Sequence, residues 1–236
     1  MRGLRLLLAL VCLGLSACAS VPGERPDVDP WEGINRKVFA FNETLDKHAL
    51  RPVAQGYEKV VPLPARTGVS NFFGNIEDLW TGVNNLLQGK PVDGGVDFGR
   101  FALNSTVGIL GFFDVASEME LDKHEEDFGQ TLGRWGVGSG PYLMLPFLGP
   151  STVRDGFGKG ADFLASPTQQ IPGWQTRTGL TALGLINTRA QLLGADAALE
   201  QAALDKYAYL RDFYLQRRLS QIYDGRPPRE DDFFDE

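Results

Sequence analysis

RTGVSNFFGNIEDLWTGVNNLLQ, residues 66–88, carries two stripes of side chains that never mix. Val69, Phe72, Phe73, Ile76, Leu79, Trp80, Val83, Leu86 and Leu87 recur at spacings of three and four, which predicts one continuous apolar helix face. Ser70, Asn71, Asn75, Glu77, Asp78, Thr81, Asn84 and Asn85 fall on the opposite face. Pro62 and Pro64 introduce the segment, and Gly89 is a plausible stop. Most such helices turn their apolar side into a protein core. A helix lying at a bilayer interface has the same pattern, although this one lacks the Lys and Arg usual on the polar face of such helices. The stripe alone leaves both readings open.

Working outward, Asp29-Pro30-Trp31-Glu32 reads as a helix start, with Asp as cap, Pro first and Glu third. Trp31, Ile34, Val38, Phe41 and Leu45 continue that helix, and Pro52 predicts its end. A third element opens at Pro91 and is expected to run to about Val115, ending in the dense apolar run 107–113. Residues 117–127, SEMELDKHEED, form a charged connection. Residues 136–156, GVGSGPYLMLPFLGPSTVRDG, hold too much Gly and Pro for a long helix, which predicts a loop or short hairpin. Two more helices are expected, over about 176–193 and 196–223. The 28 glycines exceed the usual share, and the pairs Gly95/Gly99, Gly129/Gly133, Gly136/Gly140 and Gly156/Gly160 have the spacing that lets backbones approach. The fold class is mainly α.

The N-terminus addresses location. Arg2 and Arg5 precede an apolar stretch of about ten residues, half of what a membrane span needs, and then Leu15-Ser16-Ala17-Cys18. That ending resembles the lipobox of bacterial lipoproteins, which implies cleavage after residue 17, then a diacylglycerol on the Cys18 sulfur and an acyl chain on its amine. Several chains anchor almost permanently, since each buried methylene contributes ~0.8 kcal/mol. Ala19 and Ser20 lack the Asp that typically retains such proteins at the inner membrane, so the outer membrane is expected. Losing Arg2 and Arg5 takes the formal charge from −7 to −9. An acidic chain argues against nucleic acid and against electrostatic docking on anionic lipid. Cys12 leaves with the signal and Cys18 is acylated, so no thiol remains for a disulfide.

No catalytic constellation is present. His48 and His124 are the only histidines, and Phe128 occupies the position where a zinc-protease helix needs its second one. Ser139 lacks the first glycine of a nucleophile elbow, and the nearby glycines match neither a dinucleotide fingerprint nor a phosphate loop. The chain is not expected to be an enzyme, to bind a metal, or to need a cofactor beyond the lipid on Cys18.

Several ordered motifs carry a family resemblance: DPWEGINR (29–36), FAFN (39–42), VPLPARTGVSNF (61–72), GRFALNST (99–106) and FFDVA (112–116). EDFGQTLGRWGVGSGPY (126–142), LPFLGPSTVRD (145–155) and NTRAQLL (187–193) extend it. Together they are similar to the VacJ/MlaA outer-membrane lipoproteins over roughly residues 28–220. The resemblance implies one ring-like domain of amphipathic helices in the inner leaflet, beside a trimeric porin. It implies removal of mislocalised phospholipid from the outer leaflet and its transfer to a soluble periplasmic carrier, maintaining lipid asymmetry. A passive structural or cell-wall-binding lipoprotein is the competing reading. The expected organisation is a signal at 1–17, a lipidated tether at 18–28, a helical domain at 29–223 and an acidic disordered tail at 224–236. Phe72, Phe73, Ile76, Leu79, Trp80, Val83, Leu86 and Leu87 are the expected lipid-facing residues. Asn71, Asn75, Asn84 and Asn85 are expected to border a polar pore. Tyr142, Leu143, Met144, Leu145, Pro146 and Phe147 either gate that path or plug the core.

Overall fold

A computed structural model of the chain describes residues 28–202 and 204–227, the side chains of 197–202 excepted. Cys18, the signal and the acidic residues 231–236 lie outside them. Helix α1 (Glu32–Leu45) runs through a π-helical turn (Asp46–Leu50) directly into α2 (Arg51–Val60). The stop expected at Pro52 is therefore absent. Proline removes a donor and crowds the preceding turn of an α-helix. Here it falls in the first turn of α2, where the change of hydrogen-bond register in the π turn accommodates the missing N–H.

Helix α3 (Leu63–Leu87) ends at Gly89, whose φ of 77° only glycine adopts without strain, and α4 (Pro91–Thr106) folds back along it. Their backbones touch: a Cβ on Gly94 would lie 2.9 Å from the Gly82 carbonyl oxygen. Helix α4 stops well short of Val115. Ile109, Leu110 and Gly111 all have positive φ, so 107–113 is a tight turn that leaves its apolar side chains exposed. A short helix, α5 (Val115–Glu118), and then α6 (Phe128–Arg134) follow, capped by the carboxylates of Asp114 and Asp127.

The Gly/Pro-rich stretch is a hairpin. Strand β1 (Tyr142–Leu145) pairs antiparallel with β2 (Gly149–Thr152), Tyr142 opposite Thr152 and Leu145 opposite Gly149. Helix α7 (Val153–Ala165), a 3-10 turn (Pro167–Gln170), α8 (Trp174–Ala202) and α9 (Lys206–Ile222) complete the fold. The expected break near Asp196 is inside α8; Asp205, which accepts from the Ala208 N–H, is the residue that starts α9. Of the four glycine pairs, Gly95/Gly99 face open space and Gly136/Gly140 have positive φ, as turn residues do. The close approach that matters joins Gly129 of α6 to Gly158 of α7, where a Cβ on Gly158 would meet the Gly129 nitrogen at 2.5 Å. That contact is long-range and has no sequence spacing to betray it.

The interior is inverted. Among the described residues, the buried set holds nineteen polar or charged side chains against seven hydrophobic ones, while Ile109, Leu110, Phe113, Phe157, Phe163 and Leu164 are exposed. In α3 the buried positions are Gly68, Gly74, Asn75, Asp78, Thr81, Gly82, Asn84 and Asn85. The polar stripe, Glu77 excepted, is thus the packing face of α3, and the apolar stripe lies outside it, half-buried except at the exposed Leu86 and Leu87. An interior of this kind holds only if its polar atoms find partners. Most do: Asn85 Nδ2 donates to Asp97 at 2.7 Å, Thr131 Oγ1 to Asn84 at 2.7 Å, and Asn75 Nδ2 to Ser105 at 2.9 Å, while Asn75 Oδ1, Asn85 Oδ1 and Gln88 Oε1 have no partner among the described residues. Arg100, fully buried, donates to Asp78, Asp114, Ser117 and the Leu121 carbonyl.

Candidate functional site

Two cavities adjoin between α3, α7 and their neighbours. The first, of about 580 Å³, is polar, with Glu77, Asp78, Lys123, His124, Asp127 and Gln130 on one side and Asp155, Lys159, Tyr214 and Arg218 on the other. The second, of about 720 Å³, is mostly apolar, walled by Phe73, Leu145, Leu148, Phe163 and Leu180. Ile76, Glu77, Lys159, Asp162 and Ser166 line both, so the two spaces meet along a shared wall.

A charge network fixes the polar end. Arg218 on α9 donates to Asp127 at 2.6 and 2.9 Å and to Asp155 at 3.0 Å, and the Tyr214 hydroxyl donates to Asp155 at 2.8 Å. Burial alone would raise the Asp155 carboxyl, but Arg218, Tyr214 and Arg154 outweigh it and hold the group down at about 2. Glu77 and Asp162 go the other way. Burial pushes both carboxyls up, and for Asp162 the bonds from the Trp80 indole at 2.7 Å and the Phe128 N–H at 3.0 Å only partly oppose it. Burial also lowers the Lys159 ammonium, helped by Arg218. Lys159 Nζ donates to the Pro150 carbonyl at 2.8 Å and stands 5.7 Å from the centre of the Tyr214 ring.

The hairpin is docked by α1. Asn35 Nδ2 donates to the Tyr142 carbonyl at 3.1 Å, and its Oδ1 accepts from Met144 N–H at 2.9 Å. Asn42, two helical turns on, repeats the pair with the Leu145 carbonyl at 3.0 Å and Phe147 N–H at 2.9 Å. Both asparagines sit inside quoted motifs, yet their role needs a partner more than 100 residues away, which sequence spacing does not reveal. Tyr142 and Met144 are buried with Tyr207, Val38 and Phe39. Leu145 reaches the apolar cavity, while Phe147, 68% exposed, packs edge-on to Phe41 beyond it. Leu143 is half-buried and Pro146 exposed.

The other expected residues separate. Phe73 and Ile76 line the apolar cavity, and Phe72 packs on Phe73 and Phe112. Leu86 and Leu87 are exposed, and Leu79 and Val83 are half-buried. Trp80 turns its N–H to Asp162 in the polar chamber instead of standing with the outer stripe. Asn75, Asn84 and Asn85 border neither cavity, because they are consumed in buried contacts between helices. Asn71 donates to the Phe112 carbonyl at 3.2 Å. The charged wall of the chamber is carried instead by Glu77 and Asp78 of α3 with α7, α9 and the 117–127 connection. His124 bonds Asp97 at 2.8 Å, and no group of three or more metal-ligating side chains occurs among the described residues.

Residues 27–221 match the family model described as MlaA lipoprotein. The chain belongs to the MlaA lipoprotein family. Relatives in Shigella flexneri and Escherichia coli K12, each named intermembrane phospholipid transport system lipoprotein MlaA, are 44% and 43% identical over 222 residues, 91% of this chain and 88% of theirs. A Haemophilus influenzae relative of the same name is 32% identical over 207 residues, 84% of this chain and 80% of its own. A solved MlaA-type structure, described as the structural basis for maintenance of bacterial outer membrane lipid asymmetry, superposes with a TM-score of 0.73. It is 40% identical and covers 85% of this chain and 100% of that one. MlaA relatives are thus named as transport-system lipoproteins, not as enzymes.

Proposed function

We propose that this chain is an outer-membrane lipoprotein that takes mislocalised phospholipids from the outer leaflet and passes them to a soluble periplasmic carrier, maintaining lipid asymmetry. It is anchored on the periplasmic side through an acylated Cys18, with no further cofactor, and works beside a trimeric porin. The observation that supports this reading best is the polar cavity joined to an apolar one. A phospholipid leaving a leaflet needs polar groups around its headgroup while its tails stay in hydrocarbon, since a charge stripped of partners is very costly to move. The shared wall offers both surroundings at once. The inverted helices fit a leaflet-embedded molecule, with Phe72, Phe73, Ile76, Leu79, Val83, Leu86 and Leu87 toward acyl chains. No helix among the described residues is long and apolar enough to cross a membrane, which suits a protein held in one leaflet by lipid and apolar faces.

The test is deletion of the chain and, separately, Cys18→Ala, each scored for outer-leaflet phospholipid and detergent sensitivity. Both measures should rise in both strains. Unchanged asymmetry in the deletion strain would favour a passive structural lipoprotein.

A further inference from the structure

Acidic side chains outnumber basic ones in the wall of the polar cavity, and nearly all of them are matched. Arg218 holds Asp127 and Asp155, Arg217 holds Glu125 at 3.2 Å, Lys90 holds Glu126 at 3.0 Å, and Arg100 and Lys123 hold Asp78. Asp162 has no ion pair either, but its carboxylate accepts from the Trp80 indole and the Phe128 N–H. Two further groups are left over. Glu77 makes no hydrogen bond or ion pair among the described residues. Lys159 makes no ion pair among them; its one bond goes to a neutral carbonyl and leaves two N–H donors free. Both leftovers stand on the shared wall, and Lys159 is the single cation among the described residues that line the apolar cavity.

An unpaired cation and an unpaired carboxylate at the mouth of an apolar space match a ligand with both charges at the end of a hydrocarbon body. We infer that this junction seats the headgroup of an ethanolamine-class phospholipid: Lys159 Nζ meets a non-bridging phosphate oxygen, the Glu77 carboxylate meets the terminal ammonium, and the acyl chains enter the apolar cavity. The inference rests on the transport reading and deepens it. The phosphate of a phospholipid lies where polar and apolar parts join, which is where Lys159 is held by Pro150 and the Tyr214 ring. A headgroup ending in hydroxyls would leave Glu77 without an ion-pair partner, and its net negative charge would meet an acidic chamber. A primary ammonium supplies the three N–H donors that a carboxylate accepts. The raised Glu77 carboxyl and the lowered Lys159 ammonium are both groups whose charged forms such a ligand would stabilise.

The full lipidated chain, purified in detergent, is equilibrated with mixed micelles holding equal phosphatidylethanolamine, phosphatidylglycerol and diacylglycerol, and the retained lipids are weighed by mass spectrometry. The native chain should retain phosphatidylethanolamine over phosphatidylglycerol by about tenfold, the size of one charge-assisted hydrogen bond. Glu77→Gln should bring that ratio close to one without reducing total phospholipid to the diacylglycerol level. Lys159→Met should lower both phospholipids toward that level, and Lys159→Arg should restore them. Melting midpoints in the same detergent identify any variant that fails to fold. A native ratio near one overturns the headgroup seat without recourse to any variant, and so does a folded Glu77→Gln protein with unchanged selectivity. Either result leaves the transport reading standing, because the deletion phenotype does not depend on headgroup. Intact selectivity with no deletion phenotype would do the reverse.

Discussion

Asp155 is the residue on which three helices converge, since it accepts from Arg218 and Tyr214 of α9, beside Asp127 of α6. Its carboxyl lies at about 2 against an ordinary 3.8, and its side chain is almost wholly buried. A carboxyl depressed by folding stabilises above its unfolded value and loses that contribution as pH falls through the folded one. The window here runs from about pH 4 down to about pH 2, and the shift corresponds to about 2 kcal/mol. Asp155→Asn leaves a buried arginine half-satisfied, so at neutral pH it should cost about 3–5 kcal/mol. Denaturation of both proteins in detergent should show their difference narrowing by about 2 kcal/mol across that window. Asp114, also at about 2, titrates there in both proteins and cancels from the difference. A difference independent of pH would show that the native carboxyl is not depressed.

At the scale of elements, the two glycines of the α6–α7 crossing and the glycines of the open faces make opposite demands. Gly158→Ala drives a Cβ into the Gly129 backbone, which cannot swing aside as a side chain can, and should cost about 1–3 kcal/mol or more. Gly95→Ala meets nothing within 4 Å in the middle of α4 and should stabilise by about 0.5–1 kcal/mol. Melting of the two variants beside the native protein checks both signs. Neither sign is readable from spacing, because Gly95/Gly99 has the better motif and the emptier surroundings. The helix period of α3, the glycine stop after it, the start of α4 at Pro91 and the hairpin were legible, since each depends on neighbours in the chain. The π turn before Pro52, the left-handed turn after Thr106 and the asparagine clasp on β1 were not. They depend on partners 41 to 109 residues away or on a backbone register that side-chain pattern does not encode. The cavity wall was missed for a related reason. Glu77 is one polar residue among eight in the stripe, and nothing in the sequence around Lys159 singles it out. They stand out only once the other charged groups around them are seen to be ion-paired or, like Asp162, held by neutral donors.

At the scale of the molecule, the stripe in residues 66–88 offered core and bilayer as alternatives, and the fold answers with a polar core and an apolar outer face. The arrangement is self-consistent because its interior is linked by hydrogen bonds and ion pairs from one helix to the next. The same feature reaches into calorimetry. Heat capacity rises on unfolding when apolar surface meets water and falls when polar surface does, and ordinary domains gain about 12–15 cal/mol/K per residue. In detergent, the apolar faces of this protein stay covered before and after unfolding, while the surface newly wetted is largely Asn, Asp, Arg and Thr. The increment should therefore fall well below that range, and a value inside it would mean that an ordinary apolar core had melted. With so small an increment, the stability curve loses its dome: the protein should weaken almost linearly with heating and show no cold-denaturation limb.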